Sequence, residues 1–331
     1  MSVRSYLITG GAGFLGSALV RRLVHDGNKV RVLDNKFRGA VSRVDDLGGE
    51  FEFVHGDVRD PQVVRGAVRK ADSVCHLAFI NGTKFFYTQP ELVLEVAVKG
   101  IVNVLDACIA EGAHELILVS SSEVYQTPLQ IPTDEMVPLS IPDPLNPRYS
   151  YAAGKIISEA MAINYGRSRI GRVVVCRPHN VYGPDMGWEH VVPQFIVRMR
   201  DVCRSSAEPE VLFPIQGTGE ETRAFVFIDD FIDGLMLAMA KGEHLGIYNV
   251  GTTEEISMES VAHAVGQHFG RRVKVVPGQL PAGSPLRRCP DISKLAALGY
   301  KPKIRFLDGL PIVAKWYDEN ASRIPIGGNG G

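Results

Sequence analysis

The sequence predicts an α/β fold, a doubly wound parallel sheet followed by a smaller mixed lobe. Two observations carry this. Through residues 1–178, short and nearly continuous apolar runs alternate with longer helical patterns, which is how strands covered on both faces by crossover helices read in a sequence. A glycine-rich turn also stands between the first apolar run and the first helical pattern. With 331 residues, the chain is long enough for one large or two ordinary domains, and for a core that needs neither disulfides nor a structural metal.

Each element follows in order. Ser5–Thr9 reads as a strand, and Phe14–His25 as a helix with Leu15, Leu19 and Leu23 on one face. Strands are expected at Lys29–Asp34, Phe51–His55, Ser73–Leu77, Glu115–Ser120 and Arg172–Cys176, with helices at Glu91–Ala110 and Ser150–Tyr165. The stretch Glu123–Pro147 holds six prolines and reads as an irregular loop over the sheet, because each proline removes a backbone donor. After Arg177 proline and glycine become frequent and segments are expected to shorten. Phe225–Ile228 and Ile247–Val250 read as short strands returning to the sheet, and Ser257–Phe269 and Leu307–Glu319 as helices of a second lobe. The division is therefore a first domain at 1–178, rejoined by 225–250, and a lobe from 179–224 and 251–325. The glycine-rich tail 326–331 is expected to be flexible and to carry no core. No internal repeat is visible.

Composition narrows the function classes. Hydrophobic residues make up 45% and charged residues 22%, the profile of a globular protein rather than a disordered one. The formal charge of −1 is too small for a general polyanion binder, so nucleic acid is not an expected partner. No apolar run reaches the roughly 18 residues of a membrane span, and a strand begins too soon after Met1 for a signal peptide. The five cysteines, Cys75, Cys108, Cys176, Cys203 and Cys289, are an odd, scattered set. Free, buried thiols in a reducing cytoplasm are expected.

The sharpest local motif is Thr9-Gly10-Gly11-Ala12-Gly13-Phe14-Leu15-Gly16, three glycines between a strand and a helix. Gly10 permits a tight turn, Gly13 lets backbone approach a pyrophosphate, and Gly16 lets helix and strand pack closely. The helix start at Phe14 and Leu15 offers free N–H groups to phosphates. Asp34 ends the second strand, where a carboxylate accepts from an adenosine ribose. It would repel a 2′-phosphate, so NAD is expected rather than NADP, although Lys36 and Arg38 lie nearby. Asn35 is grouped with it. Asp57-Val58 follows the third strand and could touch an adenine or cap the next helix.

Together, TGGAGFLG, Asp34, Asp57-Val58, His76-Leu77-Ala78, Ser120–Tyr125 (SSSEVY), Tyr151–Lys155 (YAAGK), Arg177–Pro184 (RPHNVYGP) and Arg223 make the sequence resemble the extended short-chain dehydrogenases/reductases. The closest resemblance is to the NAD-dependent nucleotide-sugar epimerases and dehydratases. It spans nearly the whole chain and implies a Rossmann-type sheet, NAD contacts that include Leu77 and Ala78, and a homodimer joined through the 91–110 and 150–165 helices. Tyr151 and Lys155 are four apart on one helix face. An ammonium near a phenol should lower its pKa, making a base able to take a proton from a sugar hydroxyl while hydride leaves the same carbon. The resemblance implies that Lys155 also bonds the nicotinamide ribose. It implies further that Ser121, with Ser122 as the alternative, bonds the reacting hydroxyl.

The resemblance implies that Ser121-Ser122-Glu123 leans toward chemistry beyond C4, since family dehydratases and uronic acid decarboxylases carry such a triplet with the Glu as base at C5 or in elimination. The other reading has Glu123 position a loop or pair with an arginine. Where some dehydratases carry Asp, this chain has Ser122, so their usual general acid is missing. Asn180, Arg223 and Arg288 (or its neighbour Arg287) resemble the family's contacts to a substrate diphosphate, with His179 beside them. Paired guanidinium groups suit that role. Three departures, Ala97, Gln126 and the Ile80–Tyr87 segment, put the substrate rather than the fold in question. Thr83 and the aromatics of that segment are expected to line the sugar pocket. No metal is expected, because His179 and His190 lack partners at ligand spacing. The reading is an NDP-hexose enzyme that oxidises C4 to a ketone, as a 4-epimerase or 4,6-dehydratase. Alternatives are a 4-dehydrogenase or decarboxylase with the same Ser-Tyr-Lys site, or a non-catalytic NAD-binding sensor.

Overall fold

The computed structural model describes residues 3–280 and 283–324, so the predicted tail 326–331 lies outside the described residues. Six strands appear where the apolar runs place them: β1 (Ser5–Thr9), β2 (Lys29–Asp34), β3 (Phe51–His55), β4 (Ser73–His76), β5 (Glu115–Val119) and β6 (Arg172–Pro178). With Gly246–Val250 they form one seven-stranded sheet in the order Gly246–Val250, β6, β5, β4, β1, β2, β3, parallel throughout. Side chains alternate between two cores. Leu7, Leu116, Leu118, Val173 and Val175 face one side. Ile8, Ile117, Val119, Val174 and Cys176 face the other. Each such side chain withdrawn from water contributes about 1.5–3 kcal/mol, and this two-sided burial is why the runs read as continuous rather than alternating.

The helices include α1 (Phe14–His25), α2 (Pro61–Val68), α3 (Thr83–Thr88), α4 (Pro90–Glu111) and α5 (Ser150–Gly166). Pro90 opens α4 and Gly112, at φ 73°, closes it in the left-handed conformation. Beyond Arg177 the segments do not shorten as expected. A fifteen-residue α6 (Val191–Ser205) and a fourteen-residue α7 (Ile228–Lys241) stand there. Pro193 is no obstacle, since the first turn of a helix needs no donor from it. Nor does Phe225–Ile228 return to the large sheet. Val226–Phe227 pairs instead with Val181–Tyr182 in a two-stranded ribbon.

The rest of the chain holds α8 (Met258–His268), α9 (Ser293–Ala296) and α10 (Phe306–Glu319). Its three-stranded sheet sets Thr222–Ala224 between Glu255–Ser257 and Arg287–Arg288. In that register Arg288 lies opposite Arg223, so two residues far apart in sequence become neighbours. Four of the five cysteines are buried, Cys203 is half-buried, and all five are free. Among the described residues, no helix is long and apolar enough to cross a membrane.

Candidate active site

The strand order reverses between β1 and β4, so the connections leaving them diverge and open a crevice at their C-terminal ends. A cavity of about 300 Å³ lies there. Gly10, Gly13, Phe14, Leu15, Gly16, Asp34, Asn35, Asp57, Val58, Leu77, Ala78, Tyr151 and Lys155 all line it. Gly10 has φ 73°, and a Cβ on it would sit 2.7 Å from the Ala78 amide nitrogen. A Cβ on Gly16 would overlap the Gly10 carbonyl. The start of α1 has no side-chain cap, leaving its first-turn N–H groups unclaimed at the crevice. Thr9 Oγ1 accepts from the Leu77 and Ala78 amides, each at 3.2 Å, and lies 2.7 Å from His76 Nδ1. This fixes the far wall. A side-chain-free backbone cradle at a helix start is what a dinucleotide pyrophosphate requires.

Asp34 is buried and accepts from the amides of Ala12 (3.0 Å) and Lys36 (2.7 Å), keeping further lone pairs for a ribose. Asp57 is bonded to Asn35 (2.9 Å) and Arg59 (2.9 Å). The Arg59 hydrogen bonds hold its carboxyl down at about 2. Asp60, not Asp57, caps α2. Two ion pairs flank the crevice. Arg43 meets Asp185 at 3.0 Å, and Arg38 pairs with Glu189 while lying over the Phe85 ring.

Tyr151 and Lys155 point into the deep end from α5. Tyr151 is buried between Phe86, stacked at 5.1 Å, and Phe79, edge-on at 5.0 Å. The aromatics of the Ile80–Tyr87 segment were expected in the sugar pocket. Instead Phe86 packs on the phenol and Phe85 packs against Phe37. Thr83, at the start of α3, is exposed. Lys155 does not lower the Tyr151 pKa as expected, because burial of the phenol dominates. The lysine donates to the Val119 carbonyl at 2.7 Å and lies 4.0 Å from the Phe79 ring centre. Burial raises the phenol well above its usual value, opposed by the Ser121 hydroxyl, with the Glu123 charge adding to the rise. Burial lowers Lys155 to about 7, with Glu159 opposing. Ser121 is the serine that meets Tyr151. Ser122 is buried in the turn that follows.

Glu123 pairs with Arg288 at 2.6 Å. Burial would raise its carboxyl, but Arg288, with Arg148 and Arg223 close by, outweighs that and holds it below the usual range. Three guanidinium groups thus surround one carboxylate beside the phenol. Arg288 Nη2 and Arg148 Nε are buried without partners. Arg223 donates to the Thr222 and Pro285 carbonyls, and its own pKa is lowered to about 10 by burial and by Arg288. Asn180, at φ 42°, reaches the Ala224 carbonyl at 3.4 Å, next to Arg223. His179 does not join this group. It is buried, its Nε2 is 3.0 Å from Asn249 Oδ1, and burial holds it neutral with a pKa near 3. Arg148 was missed by the sequence reading. Its signal was an arginine three residues before Tyr151, a spacing that means nothing until Pro147–Tyr149 turns it inward.

Residues 6–251 match the model of the NAD dependent epimerase/dehydratase family. The chain belongs to that family. It is an enzyme, and its cofactor is NAD. It is 33% identical over 314 residues to UDP-glucuronic acid decarboxylase 4 of Arabidopsis thaliana, covering 93% of this chain and 67% of that one. It is 29% identical over 327 residues to a UDP-N-acetyl-alpha-D-glucosaminuronate decarboxylase of Bacillus cytotoxicus, covering 95% and 97%. Among solved structures, the dTDP-glucose 4,6-dehydratase DesIV of Streptomyces venezuelae with NAD bound superposes with TM-score 0.85 at 29% identity, over 96% of this chain and 98% of that one. A UDP-glucose 4-epimerase of Thermotoga maritima, holding UDP-glucose, gives 0.84 at 26%, over 96% and 99%.

Proposed function

We propose that this enzyme oxidises C4 of a nucleoside diphosphate sugar and that its preferred outcome is decarboxylation of a uronic acid. NAD, when bound along the glycine cradle and Asp34, supplies the acceptor for the C4 hydride. Ser121 orients the C4 hydroxyl and Tyr151 takes its proton. Lys155 holds the cofactor-side wall through Val119 and stands ready to offset charge on the phenolate. Asn180 and Arg223 face the substrate diphosphate.

The observation that carries this reading is the cationic surplus around Glu123. Arg148, Arg223 and Arg288 outnumber the one carboxylate beside the phenol, and two of their buried donors are unpartnered. Such a site suits a second anion on the sugar as well as the diphosphate. A C4 ketone makes a C5 carboxylate part of a β-keto acid. The bond to carbon dioxide then breaks with its electron pair passing to the C4 oxygen, and Glu123 manages the proton at C5. Decarboxylase relatives on both sides of the plant–bacterial divide support this. Ser122 in place of Asp speaks against dehydration. The epimerase neighbours favour a second reading, 4-epimerisation, which needs no Glu123 chemistry.

Mass spectrometry and NMR after incubation with UDP-glucuronic acid and UDP-glucose in D2O decide between them. Carbon dioxide loss with deuterium at C5 is the expected result. An isomer of unchanged mass and no deuterium would replace it with epimerisation. Failure to alter either sugar would overturn both readings.

The same reading includes a cytoplasmic homodimer and the two-part domain division. Leu94 and Val98 on α4 and Ile157 on α5 are 38%, 39% and 40% exposed on neighbouring helices. An apolar stripe of this kind fits a second copy, and analytical ultracentrifugation would show a dimer.

A further inference from the structure

We propose that Glu159 is a positioning residue for Lys155, and that its buried pairing with Arg177 ties the charge state of the reacting end to the placement of the substrate arm. The inference rests on the assignment of Lys155 to the reaction.

Glu159 lies one helical turn beyond Lys155 on α5 and both are buried. Its carboxylate accepts from Ser120, the residue joining β5 to the Ser121–Glu123 turn. It also takes both ends of the Arg177 fork, Nε at 3.0 Å and Nη2 at 2.6 Å. Arg177 Nη1 donates to Tyr125 at 2.6 Å, and the Tyr125 hydroxyl donates to Asn249 at 2.9 Å. Asn249 in turn donates to the carbonyls of Thr133 and Asp291. Asp291 lies three residues past Arg288, and Thr133, from the proline-rich loop, bridges to that arm at Pro290. One unbroken polar chain therefore runs from the Lys155 turn of α5 to the Arg288 clamp.

Around Lys155, the charged or titratable groups are Tyr151 and Glu159 on its own helix, His76 from β4 and, beyond Glu159, Arg177 from β6. His76 is held neutral, with a pKa near 3, by burial. Glu159 is thus the carboxylate that opposes the loss of the ammonium charge to burial. An uncharged Lys155 could not offset the phenolate that Tyr151 must become.

The test replaces both buried charges, Glu159→Gln with Arg177→Met, so that no unpaired guanidinium is left inside. NAD-loaded protein with 13C-labelled lysine is titrated by NMR, and the Lys155 signal is assigned by its loss in Lys155→Met. The expected result is a Lys155 pKa lower by about one unit or more, with the alkaline limb of the kcat profile moving down by the same amount. Glu159→Asp, which keeps the charge, should restore most of the shift. An unchanged Lys155 titration in the double variant would overturn the proposal. The NMR readout needs no sugar, so it stands apart from failure of the substrate assignment, which shows only as absent turnover.

Discussion

The two halves of the site are built in opposite ways. The cofactor half is made of backbone. One segment, residues 9–16, supplies the turn, the close approach and the helix start, and Gly10 and Gly16 lie hard against main-chain atoms such as Ala78 N. The substrate half is made of side-chain charge. Glu123, Arg148, Arg223 and Arg288 come from four separate stretches and meet only because the three-stranded sheet sets Arg288 opposite Arg223. A backbone cradle tolerates no added atom, whereas a charge cluster can be retuned one residue at a time. Relatives that share the first half can therefore differ in what they do with the second.

Gly16→Ala should break the cofactor half outright, because the new methyl meets the Gly10 carbonyl rather than a movable side chain. The expected result is protein without bound NAD and a fall in stability of about 3 kcal/mol or more, read by cofactor absorbance and thermal melting. Tyr151→Phe should keep the NAD and lose about 10²–10⁴-fold in kcat. A variant that binds no NAD would mean the phenol belongs to the cradle instead. Glu123→Gln should fall between the halves. NAD content stays the same, while turnover of a uronic acid drops about a hundredfold, the low end of the range for removing a proton-transfer group. Equal loss on UDP-glucose would show that the cluster does not sense the sugar's own charge.

Lys155→Met should separate activity from stability. The folded lysine titrates near 7 against about 10.4 when unfolded, so between these values the unfolded chain binds the extra proton. The burial penalty is therefore full below pH 7 and fades as pH rises to about 10. The variant should be inactive, with a gain in melting temperature at pH 6 that shrinks by pH 10. The smallest effect is expected from Arg38→Ala, which removes a partly exposed pair with Glu189. Exposed pairs contribute about 0.2–1 kcal/mol, so NAD should dissociate about two- to fivefold faster, as measured by loss on dilution.

The same contrast explains what the sequence made legible. The sheet, α1, α4 and α5 could be read because apolar periodicity is local. The cradle could be read because Gly10, Gly13 and Gly16 are adjacent in sequence and each answers a backbone need. Tyr151 and Lys155 could be placed by one helical turn. Arg148 and the Glu123–Arg288 bond could not, because pairing between residues 165 positions apart leaves no local trace. His179 misled for the converse reason. Its neighbour Asn180 reaches the Ala224 carbonyl beside Arg223, whereas His179 turns inward to Asn249. The phenol's raised pKa was hidden too, since it depends on Phe79 and Phe86 closing over the ring.

The Thr9 hydroxyl between β1 and β4 carries one more consequence. Its oxygen already receives two amide protons, from Leu77 and Ala78, so its own single proton has only His76 Nδ1 to go to. That choice fixes the imidazole as the tautomer with hydrogen on Nε2. The ring cannot relay a proton without first surrendering the hydroxyl that holds the crevice wall. This histidine, set behind the wall that Leu77 and Ala78 form, is thereby a proton stop.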